Sequence, residues 1–82
     1  MKENPTEREI LEENKKVRRL QLMVSLVMNV ISQGDLSVEE ASELVASTKR
    51  AALNLFPDKE LAYDLIYKPK LQRLMLEVYR IV

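Results

Sequence analysis

The sequence predicts an all-α fold: a small four-helix array with a long N-terminal helix, an antiparallel second helix and two short C-terminal helices around a break at Pro69. Three observations predict it. Apolar residues recur at three- and four-residue intervals along most of the chain, and no two-residue alternation marks a strand. Breakers fall at Gly34, Pro57 and Pro69, which divide the chain into four helical pieces. Between Leu20 and Ile31 only Gln21, Ser25 and Asn29 interrupt the apolar residues, and their spacing puts all three on one narrow stripe of a helix. Most of that helix's circumference is greasy, so the rest of the chain or a second chain must cover it.

Helix one is expected over roughly 5–33. Asn4 is a good N-cap, Pro5 suits the first helical position, and Glu7 follows three residues after the cap. Gly34 then supplies the left-handed residue that closes it. Such a helix exceeds about 40 Å at 1.5 Å per residue, longer than a domain this small needs. Its N-terminal half offers only Ile10, Leu11 and Val17 as apolar anchors, so that half projects or meets a partner. Helix two, 38–55, opens on a capping box of Ser37 and Glu40 with Leu36 at the staple position. Its apolar face runs through Val38, Ala41, Leu44, Val45, Thr48, Ala51, Ala52 and Leu55, and the short connection folds it back on helix one. Pro57 ends that helix, Asp58 stands as a cap, and a short helix follows over 59–67. Pro69 interrupts again, with Lys68 at a turn or kink, and the period resumes over 70–81.

Residues 1–82 are read as one domain, near the lower size limit for a single unaided core. The chain has no cysteine and no histidine, which argues against disulfide staples and soft-metal sites and fits a reducing compartment. Thirteen basic and thirteen acidic residues balance, but unevenly: Glu7, Glu9, Glu12 and Glu13 precede Lys15, Lys16, Arg18 and Arg19 on one helix. That order reads as a solvated face with Glu12 paired to Lys16 one turn on. The acidic N-terminus does not suit a secretory signal, and the Leu20–Ile31 block is too short for a bilayer. A soluble, cytoplasmic protein with no membrane contact is expected.

No chemistry stands out. Nucleophilic schemes lack a His or Cys, and the paired carboxylates Glu12/Glu13 and Glu39/Glu40 sit in exposed or first-turn positions. The run from Gly34 to Glu40 is too short for a calcium loop. No catalytic residue, no metal ligand and no cofactor is expected, and the chain is not read as an enzyme. Tyr63, Tyr67, Lys68 and Lys70 form a surface patch suited to an anionic or peptide partner, with the tyrosine hydroxyls in water.

The segment Leu36-Ser37-Val38-Glu39-Glu40-Ala41-Ser42-Glu43-Leu44-Val45, followed by Thr48-Lys49-Arg50, resembles the opening of excisionase-type and MerR-type helix-turn-helix DNA-binding proteins. The resemblance covers about twenty residues within Ser37–Leu55. It implies a DNA-binding regulator in which Lys49, Arg50 and Asn54 face the nucleic acid. Ala46 stands where those families carry the turn glycine, and Ser47 where an apolar residue follows.

The leading expectation is a protein-interaction module. Ile10, Val17, Val24 and Ile31 recur every seven residues, with Leu20 and Val27 in the intervening places. These six are the expected seam of a homodimer through helix one, extended by helix four, with the acidic turns and Lys15–Arg19 pairing across a two-fold axis.

Overall fold

In a computed structural model describing residues 6–80, α1 runs Glu7–Ser32, α2 Val38–Leu55, α3 Glu60–Ile66 and α4 Lys68–Tyr79, with no strand among the described residues. The caps expected of Asn4 and Pro5, and the last turn at Ile81 and Val82, lie outside those residues. The cap of α1 is Thr6, whose Oγ1 accepts from the Glu9 N–H at 3.2 Å. The helix therefore begins two residues later than the sequence predicts, because a hydroxyl at that place satisfies one of the free first-turn donors. Gly34 ends α1 as expected: its φ is +75°, and its N–H donates to the Ile31 carbonyl at 3.0 Å.

The capping box of α2 is complete. Ser37 N–H donates to Glu40 Oε1 at 2.9 Å, and Glu40 N–H donates to Ser37 Oγ at 3.1 Å. The Ser37 backbone bond, followed by the hydroxyl, holds the Glu40 carboxyl below its ordinary range. Its contribution is present above the unfolded value of 4.5 and is lost as pH falls through the lower folded value. Ser37→Ala is expected to cost about 1 kcal/mol in urea denaturation at neutral pH. The gap from wild type should narrow in acid, once Glu40 is protonated.

Two helix boundaries differ from expectation. Asp58 does not cap α3; Lys59 N–H donates to the Phe56 carbonyl at 3.1 Å, closing a turn in which Pro57 and Asp58 sit. Nor does Pro69 precede α4: it lies in that helix's first turn, where its missing N–H removes no helical bond. Only Tyr67 separates α3 from α4. Its N–H donates to Tyr63 and its carbonyl accepts from Leu71, at 2.9 and 3.1 Å, so the bonding carries across the break.

The core is built from one face of α1, namely Leu20, Val24, Val27 and Ile31, with Ala41, Thr48 and Ala52 of α2, Tyr63 of α3 and Leu71 of α4. Small residues on α2 allow close approach, and Thr48 satisfies its buried hydroxyl by donating to the Leu44 carbonyl at 2.7 Å. The end of α4 is tied down by Tyr79, whose hydroxyl donates to the Leu36 carbonyl at 2.8 Å. Helix α4 packs closely on both α1 and α2, whereas α3 approaches α2 and α4 closely but has no Cα within 8 Å of one in α1. The molecule measures 54 × 20 × 16 Å with a radius of gyration of 15.3 Å. A compact chain of this size has a radius near 11–12 Å. The excess comes from the N-terminal turns of α1, which extend beyond the core residues.

The helix α1 is covered on one face only. Leu22 and Leu26 are 65% and 64% exposed, alongside Ser25 and Asn29. Met23, Met28 and Val30 are half-buried. The chain alone does not supply the near-complete cover that the apolar block predicts. No described helix is long and apolar enough to cross a membrane.

Candidate interaction surface

Where α1 outruns the core, no Cα of α1 lies within 8 Å of a Cα of α3, and an apolar cleft of about 220 Å³ opens between the two helices. Val17 and Leu20 form one wall, and Ala52, Leu53 and Phe56, at the end of α2, lie across the cleft from them. Ala62, Tyr63, Ile66 and Tyr67 line it from α3 and its end, with Glu13 and Lys59 as its charged lining. One turn toward the N-terminus, Glu9, Ile10, Glu13 and Asn14 border a second depression on the same helix. Ile10 is 48% exposed and Val17 38%, and both lie beyond the buried stretch of α1.

The six seam residues expected from the sequence therefore divide into two groups. Val24, Val27 and Ile31 are buried inside the single chain, as is Leu20 except where it lines the floor of the cleft. Ile10 and Val17 remain open. The sequence did not point to the residues of α2 and α3 that complete the cleft, because they come together only through tertiary structure. Nothing in their local pattern distinguishes Leu53, Ala62 or Ile66 from ordinary amphipathic positions.

Charges on α1 are solvated. Glu12 pairs with Arg8 at 3.8 Å rather than with Lys16, and the pair is largely exposed. A tighter cluster ties α2 to α3: Lys49 Nζ lies 3.1 Å from Glu60 and 3.0 Å from Asp64 Oδ1. The hydrogen bonds to Asp64 and Glu60 hold the Lys49 ammonium above its ordinary range. The Tyr63 hydroxyl, expected in water, is instead buried with no partner among the described residues. Burial pushes its phenol up, with Asp64 adding and Lys49 opposing. Tyr67 stays half-buried against it, with ring centroids 5.6 Å apart, and Lys70 Nζ lies 6.0 Å over the Tyr67 ring. Lys68 is exposed. The patch is thus split, one tyrosine in the core and the other at its margin.

Both raised groups act in the same sense. A raised folded pKa gives stability that is fully present below the unfolded value and is lost as pH rises through the folded one. Stability is therefore expected to fall as pH climbs past 10, the ordinary tyrosine value. Tyr63→Phe should flatten that alkaline loss when unfolding is followed across the pH range.

The segment that resembles helix-turn-helix proteins forms no turn. Helix α2 passes unbroken through Ala46, Ser47 and Thr48. Lys49 is held by Glu60 and Asp64, and Arg50 Nη2 lies 2.9 Å from both Glu43 Oε1 and Ser47 Oγ. Asn54 is exposed. Among the described residues, no group of three or more acidic, His or Cys side chains is placed to hold a metal. Comparison with protein-family models, with curated proteins and with solved structures gives no match to this chain.

Proposed function

We propose that this chain is a non-enzymatic helical interaction module that acts in the cytoplasm and associates with itself through the projecting part of α1. The observation that carries the reading is the open cleft beside Val17, continuous with the exposed Ile10 turn. An apolar helix face beyond the reach of its own domain is stabilised by burial against a second surface, at about 25 cal/mol per Å² removed from water. The small size of the chain, with no cysteine to cross-link it, adds to the benefit of association. A DNA-binding reading receives no such support, since Lys49 and Arg50 are already paired within the fold.

Dilution tests the proposal. Light scattering of the unmodified chain should report twice the 9.5 kDa monomer mass at high concentration, falling toward 9.5 kDa on dilution. A mass fixed at the monomer value at every concentration refutes self-association.

A further inference from the structure

We infer that two copies pair antiparallel, each seating the Ile10 turn of its α1 in the other's cleft between α1 and α3; this rests on the self-association proposed above. The occupant is argued from charge. Along the projecting stretch, the acids Glu7, Glu9, Glu12 and Glu13, with Arg8 as the one base among them, come first and the bases Lys15, Lys16, Arg18 and Arg19 second, so the net sign changes at Asn14. All nine are exposed. In a parallel pair each acidic turn lies against its own copy and each basic turn likewise, which is repulsive twice over. A two-fold axis near Asn14 instead lays the acidic turns of one copy along the basic turns of the other.

The shape of the molecule agrees with this order. The axis near Asn14 places the two cores at opposite ends of the shared helices, so they do not compete for space. The same axis carries the Ile10 turn of one helix alongside Val17 of the other, at the mouth of the cleft. The apolar lining of Ala52, Leu53, Phe56 and Ile66 then receives a branched apolar side chain, flanked by opposite charges. The contact is a helix laid in a groove between two helices, and it is isologous, so it closes at two copies.

Charge reversal on one side separates the orientations. The full chain carrying Glu9→Lys, Glu12→Lys and Glu13→Lys should self-associate more than about tenfold more weakly, since base now faces base. Adding Lys15→Glu, Lys16→Glu, Arg18→Glu and Arg19→Glu to the same chain should restore dimerisation. A parallel pair would instead hardly respond to the first change, which exchanges one like-charge contact for another. Cysteine placement gives a second readout in this cysteine-free chain. With a short bis-maleimide, Asn14→Cys should cross-link to its own copy and Glu7→Cys should not. A dimer that survives the one-sided reversal, or that cross-links through Glu7→Cys, overturns the antiparallel pairing and leaves self-association standing. An unmodified chain that is monomeric throughout overturns both. Helicity by circular dichroism confirms that each variant is folded.

Discussion

Ile31→Ala is expected to lower the unfolding free energy by about 2–5 kcal/mol, read from urea denaturation. Ile31 is 0% exposed and belongs to the buried cluster that α1 shares with the other three helices. Deleting its outer carbons removes their transfer free energy and leaves a void that rigid neighbouring helices fill only in part. Folded domains have only about 5–15 kcal/mol in hand, and one this small lies toward the low end, so the loss is a large fraction of the whole. Leu26→Ala is the internal control. That side chain belongs to the same apolar block but faces solvent, and its loss should change stability by less than about 0.5 kcal/mol. Equal losses at the two positions would contradict the one-sided burial of α1.

The second large effect concerns association. Ile10→Glu combined with Val17→Glu is expected to leave a folded monomer of 9.5 kDa at concentrations where the unmodified chain is a dimer. Both side chains lie outside the core, so the monomer loses little by the change. In the dimer each charge would be desolvated against the apolar cleft, a cost of several kcal/mol per interface. Val24→Glu does not serve the same purpose, because Val24 is buried and its replacement attacks the fold itself. Sedimentation velocity with circular dichroism separates lost association from lost structure. A dimer that persists with both glutamates in place would exclude this part of α1 from the contact.

Local signals were the legible ones. The bounds of α2, the Ser37–Glu40 capping box and the left-handed Gly34 all depend on contacts within a few residues, and each stands as the sequence predicts. Where two local solutions competed, the sequence alone could not choose. Thr6 caps α1 although Asn4 reads as a good cap, and the turn closed by Lys59 N–H takes Asp58 out of the capping place. Pro69 reads as a break but is equally at home in a first turn, and α4 uses it so.

What pattern reading could not reach is long range. The hydrogen bond from Tyr79 to Leu36 and the bridge from Lys49 to Asp64 join residues far apart in the chain. So does the cleft, whose walls belong to three helices and which opens where the backbones of α1 and α3 stay apart. Periodicity identified Ile10 and Val17 together with Leu20, Val24, Val27 and Ile31 as one seam. It could not tell where the domain's own cover would stop.

Amide hydrogen exchange along α1 bears most directly on whether a second copy shelters that uncovered stretch. A helix end that projects into water opens readily, since a few turns without tertiary contacts have little stability of their own. In concentrated solution the amides of residues 10–20 should be protected nearly as well as those of Val24 to Ile31, and dilution should strip protection from the first set while sparing the second. Fast exchange of residues 10–20 at every concentration, beside a protected core, would mean that nothing covers them.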